Sequence, residues 1–322
     1  MAHFLKHCLV ALGLVAAGVG IAGACASFAP RLPGAGPSVK PRDTPVRLRV
    51  QVAGRVTTVA LEQYVLGAVL SEVTPTGESE RAIATIYEVQ AIIARTYAAA
   101  HPGRHANQGF DLCDKTHCQL YQPGRIQTSQ FAAAAKGAVV ATSGRILRHN
   151  GRVADTPFHS DCGGSTTTPA DAWGGSPLPY LPQQPDGIAG VTHRTWQFAA
   201  SSGEWGTLLR RDPRTDPGGP LRNLSVTKRD GSGRAAEVEI GGTKIRRVTG
   251  SLLRTVVTAV RGDRSLMSTR FAVSQTATGF RLDGTGFGHG VGLCQVGAIA
   301  RARWGDSVAA ILGHYYPGAK SP

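Results

Sequence analysis

Two segments far apart in the sequence carry the side chains best suited to acid–base chemistry. The first ends in Glu72, and the second is a glycine-rich stretch that contains His289. Between Gly286 and Gly297 the chain has five glycines in twelve residues, which excludes a helix interior and lets a ligand approach the backbone. A histidine in such a loop can be catalytic, ligating or structural. Helix-forming residues follow from Ala298, so we predict that this loop leads into a helix.

Glu72 lies at the end of an apolar helical stripe. Leu61, Val65 and Ala68 precede it at a spacing that places all four side chains on one face of a helix. A carboxyl group in that position is partly removed from water, which raises its pKa toward the range useful for general acid catalysis. The alternative is a frayed helix end with Glu72 in solvent, where most helical glutamates lie.

The elements that position these groups follow from the pattern of apolar residues and turn signals. Helices are predicted at 61–72, 79–100, 129–136 and 251–260. Strands are predicted at 46–58 with a turn at Ala53-Gly54, in a meander over 221–249, and at 271–282. A hairpin is predicted at 146–154, with its turn at Asn150-Gly151. The predicted fold class is α+β, with one mixed domain at 46–318 and a small β-rich subdomain inserted at 195–260.

The charge of the chain limits its partners. The 322 residues carry a formal net charge of +14, and 42% of them are hydrophobic, which is ordinary for a protein with a real core. Such a charge suits an anionic polymer, a membrane surface or nucleic acid. The sequence has no helix-turn-helix, zinc-finger or aromatic nucleic-acid motif, so we expect no nucleic-acid partner.

The N-terminal segment predicts export to the periplasm or cell envelope. Residues 1–26 combine basic residues, an apolar run and the small-residue motif Ala24-Cys25-Ala26, as in a cleaved signal peptide. The apolar run is also close to the length of a membrane anchor, and lipidation of Cys25 is a third interpretation. Residues 27–45 are rich in Pro, Gly and Ser and are predicted to be a linker.

Four cysteines follow this segment, and they allow several kinds of chemistry. They are Cys113, Cys118, Cys162 and Cys294. In an oxidising compartment they could form two disulfides in three pairings. The spacing of the first two, with His105 and His117 nearby, also suits a tetrahedral zinc site.

A third interpretation of the cysteines is a nucleophile with its base. The candidate pairs are Cys162 with His159 and Cys294 with His289. His159 and Cys162 are close in sequence, whereas a nucleophile and its base normally meet through the fold. The sequence leaves disulfides, zinc and a nucleophile open.

Several motifs resemble one protein family in the same order. They are YVLGAVLSEV at 64–73, EVQAIIARTYA at 88–98, DLC at 111–113, THCQLY at 116–121, CGGST at 162–166, WG at 173–174, PYL at 179–181, GHGVGLCQVGA at 288–298 and HYYPG at 314–318. They resemble the stage II sporulation protein D family, which includes the amidase enhancer LytB, and they cover about residues 45–318. Cys294 stands where we expect serine in many relatives.

The resemblance implies a peptidoglycan lytic transglycosylase, which cuts the glycan between N-acetylmuramic acid and N-acetylglucosamine and leaves an anhydro-muramic end. The family's catalytic glutamate maps onto Glu72. Substrate contacts are then expected from Gln90, Arg95, Ser160, Gly163, Gly164, His289 and Gln295. Some relatives carry zinc on a histidine and two cysteines, which implies a structural zinc on Cys113, Cys118 and His105, with His101 and His117 as substitutes. No cofactor is expected to be required for the chemistry.

Glycan strands of peptidoglycan are the expected substrate, and an amidase acting upstream is the expected partner. Three competing functions remain open at this point: a non-catalytic wall-binding enhancer of a separate amidase, a Cys/His peptidase or amidase, and a zinc hydrolase. The position of Glu72 on an apolar stripe favours the transglycosylase. One carboxylate serving as both acid and base fits the absence of an obvious second acid in the motifs.

Overall fold

A computed structural model describes residues 44–188 and 191–321. The predicted signal peptide or anchor at 1–26 and nearly all of the linker at 27–45 lie outside the described residues. Helices and several small sheets occur together, which confirms the α+β class. No helix within the described ranges is both long and apolar enough to span a membrane.

The helices range from one turn to six turns in length. In chain order they are α1 Leu61–Glu72, α2 Glu80–Ala100, α3 Arg125–Thr128, α4 Ala132–Ala141, α5 Pro169–Trp173, α6 Ser202–Leu209, α7 Gly250–Arg261, α8 Gln295–Trp304 and α9 Val308–Tyr315. The predicted bounds of α1 are confirmed, and α2 begins one residue after the predicted start because Ser79 caps it and accepts a hydrogen bond from the Ala82 amide.

The strands are short and belong to several sheets. They are β1 Arg47–Val52, β2 Arg55–Ala60, β3 Leu112–Cys113, β4 Arg148–His149, β5 Arg152–Val153, β6 Phe158–His159, β7 Thr195–Ser201, β8 Asn223–Arg229, β9 Ala235–Gly241, β10 Ile245–Val248, β11 Phe271–Gln275, β12 Gly279–Thr285 and β13 Leu293–Cys294. Both predicted turns are confirmed, at Ala53-Gly54 and at Asn150-Gly151, where all four residues have positive φ.

The first apolar core is built around α1 and α2. The completely buried Val65 and Ala68 of α1 belong to it, and α2 packs against α1, α4, α8 and α9. A sheet with the order β2-β1-β3 covers this group, with β1 antiparallel to β2 and parallel to β3. Because α1 ends at Glu72, this core fixes the carboxyl group in space.

The second apolar core draws its members from residues 196–282. It includes the wholly buried Trp205 of α6, Val238 of β9 and Leu253 of α7, together with residues of two sheets, β10-β9-β8 and β11-β12-β7. The predicted meander is confirmed as β8, β9 and β10. The domain boundaries at 46–318 and 195–260 stay predictions.

Two predicted elements differ from the structure. The helix predicted at 129–136 is Ala132–Ala141, because α3 ends immediately before Ser129 and the buried Ala138 and Val139 extend α4. The strand predicted at 271–282 is an antiparallel pair, β11 and β12, which reverses direction between them.

Candidate active site

The Glu72 carboxyl group is part-buried at the C-terminal end of α1. Its Oε1 accepts a hydrogen bond of 2.6 Å from the backbone amide of Leu120. Burial raises the pKa of Glu72 from 4.5 to about 7, and the Leu120 hydrogen bond opposes this rise in part. The group is therefore divided between its acid and its base form near neutral pH.

The loop that holds Leu120 is fixed on the surface of α1. The Tyr121 ring lies 4.9 Å from the Tyr64 ring, centroid to centroid, and covers the backbone of Gly67. The Ser71 hydroxyl donates to the Gly67 carbonyl at 2.6 Å and accepts from the Gln122 amide at 2.9 Å. Residues 120–122 and the last turn of α1 thus form one packed unit around the carboxyl group.

One of the predicted substrate-binding residues, Gln295, contacts the backbone of Glu72, and a second, Ser160, is linked to the residue after Gln295. Gln295 is part-buried at the first position of α8, and its Nε2 comes within 3.5 Å of the Glu72 carbonyl oxygen. The next residue, Val296, donates its amide to the Ser160 carbonyl at 3.1 Å. The structure therefore brings Glu72, Gln295 and Ser160 together from three distant segments.

His289 lies in the glycine-rich loop, with its ring 4.9 Å from that of Trp173 and 5.4 Å from that of His159, centroid to centroid. Its Nδ1 accepts from the Val291 amide at 3.1 Å, so the ring proton is on Nε2. Burial, with the nearby cations of Arg254 and Arg234, lowers the pKa of His289 to about 3. The imidazole is neutral at physiological pH and can bind a ligand by hydrogen bonding and stacking.

The Gly163-Gly164 turn forms part of the neighbouring loop, and both residues have positive φ, of +71° and +108°. Gly163 is buried, and an added Cβ would lie 3.0 Å from Thr285 Oγ1. Its carbonyl accepts a hydrogen bond from Arg270. Gly164 is only part-buried, so the predicted contact with substrate is sterically available to Gly164 and not to Gly163.

Arg95 was predicted to bind substrate, but the structure assigns it to the interior. The side chain has no exposed surface and pairs with Glu62 through two hydrogen bonds, of 2.8 and 2.6 Å. Further donors go to the carbonyl groups of Arg145 and Val139. Its hydrogen-bonding capacity is used within the protein, because an apolar core surrounds this part of α2.

Gln90 is also on the inner side of α2, with 2% of its surface exposed. Its Nε2 has no hydrogen-bond partner among the described residues. Contact of Gln90 with substrate stays a prediction.

The predicted zinc ligands lie together in the loop that leads to Leu120. Ligand atoms of His105, Cys113, His117 and Cys118 all lie within 4.8 Å of one another. His105 Nε2 is 3.4 Å from Cys118 Sγ, and His117 Nδ1 is 3.7 Å from the same sulfur. Two sulfurs and two imidazole nitrogens are the donor set of a closed, structural zinc site. His101, the other substitute, instead contacts the Tyr97 carbonyl at 2.9 Å.

All four cysteines after the N-terminal segment are free thiols in the structure. Cys162 and Cys294 have no exposed surface, and burial raises the pKa of Cys294. A catalytic cysteine needs an accessible thiolate. The nucleophile interpretation therefore finds no support in the geometry.

Sequence reasoning missed three residues of the site. They are Leu120, whose amide binds Glu72; Trp173, which packs on His289; and Arg234, which donates to the Cys162 carbonyl at 2.7 Å. Leu120 and Trp173 each lie in one of the motifs that carry the resemblance, and Trp173 could have been proposed as a stacking partner. Leu120 and Arg234 act through contacts between segments more than 45 residues apart, which no local pattern indicates.

Two family models match separate parts of this chain. The model of the Stage II sporulation protein family (SpoIID) matches residues 51–149, and a domain of unknown function, DUF8618, matches residues 191–292. The first match contains Glu72, Leu120 and the His/Cys cluster. The second contains His289 and Arg234.

Three relatives illustrate the similarity. An uncharacterized protein of Brachyspira hyodysenteriae is 28% identical over 264 residues, which cover 82% of this chain and 67% of that protein. The Stage II sporulation protein D of Bacillus amyloliquefaciens is 28% identical over 303 residues, covering 88% and 80%. The Amidase enhancer of Bacillus subtilis strain 168 is 23% identical over 274 residues, covering 72% of this chain and 37% of that protein.

Proposed function

Because this chain belongs to the stage II sporulation protein D family, we propose that it acts on the cell wall as a peptidoglycan lytic transglycosylase with Glu72 as catalytic acid and base. The observation that carries the proposal is the environment of Glu72, whose burial raises its pKa to about 7. A carboxyl group with that pKa can donate a proton near neutral pH and can then act as a base.

In the proposed reaction, Glu72 protonates the glycosidic oxygen while the bond breaks through an oxocarbenium-like state. The resulting carboxylate takes the proton of a muramic hydroxyl group, whose oxygen closes the anhydro ring. A hydrolase of the usual type needs a second carboxylate. The sequence motifs offer no obvious second acid, which fits a single-carboxylate scheme.

The glycan is proposed to lie across the end of α1 and the start of α8. Gln295, whose side chain contacts the backbone of Glu72, and Ser160, whose carbonyl accepts from the neighbouring Val296 amide, would bind sugar hydroxyl or acetamido groups. Neutral His289 and the part-exposed backbone of Gly164 would contact sugars further along the strand. The sequence charge of +14 would hold the protein near an anionic wall polymer.

A structural zinc on His105, Cys113, His117 and Cys118 is part of this proposal. When bound, the ion supplies no chemistry to the reaction and holds the chain before Leu120, because four protein ligands leave no position for a water. Cys118 is two residues from Leu120, so this loop positions the amide that binds Glu72.

Zinc removal therefore has a defined expected outcome. Chelation, or Cys113→Ser, should lower the melting temperature and reduce activity as the Leu120 loop loosens. Calorimetry together with the measured zinc content checks this. A chelated protein with unchanged stability and full activity would contradict the structural zinc.

The export signal predicted at 1–26 and the wall-related names of the relatives support a location in the cell envelope. A second candidate function is a non-catalytic enhancer of an amidase. The observation that favours it is the similarity to a protein named Amidase enhancer.

The deciding experiment compares three proteins on purified, peptide-free glycan strands, with products read by mass spectrometry. They are the wild type, Glu72→Gln, and Glu80→Gln as a matched control in the exposed first turn of α2. We expect anhydro-muramic ends from the wild type and the control, and a loss of at least about 100-fold with Glu72→Gln. Reducing ends would instead indicate a hydrolase. A folded wild type that cleaves nothing, but stimulates an added amidase, would establish the enhancer.

A further inference from the structure

A second cluster of metal-ligating side chains lies outside the proposed chemistry. Ligand atoms of His159, Cys162 and Cys294 lie within 4.8 Å of one another. His159 is 4% exposed and the two cysteines are wholly buried. None of these residues belongs to the His105 cluster, which is built on a different part of the chain.

The imidazole of His159 is held in the form that binds a metal. Its Nδ1 lies 3.1 Å from the Val291 carbonyl oxygen, which can only accept, so Nδ1 carries the proton. Nε2 then has a free lone pair, and among the described residues it has no hydrogen-bond partner. A metal-ligating histidine typically donates its other ring N–H to a carbonyl in this way. A buried acceptor without a partner is costly, and a bound cation removes that cost.

The two sulfurs are surrounded by backbone donors. The Cys162 amide donates to Cys294 Sγ at 3.2 Å, and the Gly297 amide donates to the same sulfur at 3.4 Å. The Gly164 amide donates to Cys162 Sγ at 3.3 Å. Cys294 is also the N-cap of α8, where the helix dipole favours negative charge. The three amides offset part of the penalty that burial places on a thiolate, which is the form that binds a metal ion.

Charged groups surround the cluster. Asp161 and Asp186 are 1% and 2% exposed, and Asp186 Oδ2 accepts a hydrogen bond from Cys162 Sγ at 3.3 Å. The buried guanidinium of Arg234 donates to the Cys162 carbonyl. A divalent cation would offset part of the negative charge that two thiolates and these carboxylates bring to the site.

We propose that His159, Cys162 and Cys294 bind a zinc ion, at a site separate from the His105 cluster. Thiolate and imidazole ligands select zinc among common divalent ions of this size. A Cys162–Cys294 disulfide is the competing state, but it leaves His159 Nε2 without a partner. The ion ties β6 to β13, where Cys294 and His159 are register partners. It therefore fixes the chain immediately before Gln295.

The first test measures zinc per chain by elemental analysis of the purified full-length protein. The wild type should hold about two zinc ions. Cys294→Ser should lose one and keep the other, and the matched variant Cys113→Ser should also lose one. The double variant should hold none. A wild type with one zinc, all of it retained by Cys294→Ser, would overturn the proposal.

A second test needs no variant and covers the case in which these substitutions prevent folding. Cadmium NMR of the wild-type chain loaded with cadmium should give two resonances, each from a mixed sulfur–nitrogen site. A single resonance overturns the second site. Peptide mapping without reducing agent should find Cys162 and Cys294 unlinked, and a peptide pair joined by a disulfide between them would contradict the metal site directly.

Discussion

At the scale of the residue, the pKa of Glu72 depends on a balance between burial and one hydrogen bond. Burial penalises the carboxylate, and the single hydrogen bond from the Leu120 amide stabilises it. Burial is the larger effect, so the pKa rises. An added cation or a second strong donor would return the group to a permanently ionised state. The carboxyl group therefore keeps its proton near neutral pH because only one hydrogen bond stabilises its ionised form.

Substitution of Glu72 should stabilise the protein at neutral and alkaline pH. The folded-state pKa is about 7 against an ordinary 4.5, so the folded protein keeps a proton that the unfolded chain loses in this window. The free energy of unfolding of the wild type should fall as pH rises from 4.5 to 7. Glu72→Gln has no such charge, so it should exceed the wild type above pH 7 by on the order of 1–3 kcal/mol.

Denaturant unfolding of both proteins between pH 4 and pH 8 measures this difference. The two curves should converge at the acid end, where the wild-type carboxyl is protonated in both states. A constant offset at every pH would show that burial does not control the proton of Glu72.

The catalytic candidate could be predicted from sequence, whereas its contacts could not. The spacing of Leu61, Val65, Ala68 and Glu72 gave both the helix and the buried face. The Leu120 amide comes from a loop 48 residues away, and its approach depends on tertiary packing. For Arg95 the motif was recognised, but the sequence did not indicate the direction of its side chain. It lies in a recognisable motif, yet its polar end is turned inward to Glu62.

At the scale of the element, α1 and the segment 120–122 act as one unit because α1 has a glycine at the contact. A Cβ at Gly67 would clash with Tyr121 Cε2. Tyr121 is 2% exposed and packs on Tyr64, so its ring has little room to move.

Gly67→Ala should therefore destabilise the protein by about 1–3 kcal/mol and displace the Leu120 amide from Glu72. Gly137→Ala is the matched control, since Gly137 is an exposed helical glycine of α4 with no atom within 4 Å of an added Cβ. The control should gain about 0.4–1 kcal/mol. Chemical denaturation of the two variants gives the comparison. Equal effects in both would mean that helix propensity alone decides, and that the Tyr121 contact is unimportant.

Helices and turns with a strong local sequence signal were predicted correctly, and elements with a weak signal were not. Turns with Asn-Gly or Ala-Gly and helices with a clear stripe were found. β7 and α6 were missed, although Ser201 and Glu204 form a capping box at the start of α6 that the sequence displays. The short pair β6–β13 has two residues in each strand and no periodicity to read, because its position depends on the loops around it.

At the scale of the whole molecule, Arg234 is one of several side chains, with Arg270 and Ser251, that connect the second part of the chain to the loops of the site. Arg234 begins in the turn between β8 and β9, which Asp230 shapes by accepting from the Ser232 and Arg234 amides at 2.9 Å each. Its guanidinium donates to the Cys162 carbonyl and lies flat against Gly290, where an added Cβ would be 2.5 Å from its atoms. Gly290 has φ +85°, so glycine is needed there for both conformation and space.

The sequence could not indicate that Arg234 contacts the loops at 162 and 290. Arg234 occurs in a Gly- and Ser-rich turn, where a basic residue normally faces solvent. Its burial to 2% exposure arises only when the β8–β9 turn meets the loops at 162 and 290. The region matched by a domain of unknown function thus contributes a structural part of the candidate site.

Replacing Arg234 should weaken the link between the two cores. Arg234→Met removes a charge-assisted hydrogen bond to a buried carbonyl, which should cost about 2–3 kcal/mol and broaden the thermal transition as the cores unfold less cooperatively. Arg247→Met is the control, because Arg247 pairs with Glu239 on the exposed surface of the same sheet. That substitution should change stability by no more than about 0.5 kcal/mol. Calorimetry of both variants decides, and an equally sharp and equally stable transition in Arg234→Met would mean that the two cores are held together by other contacts.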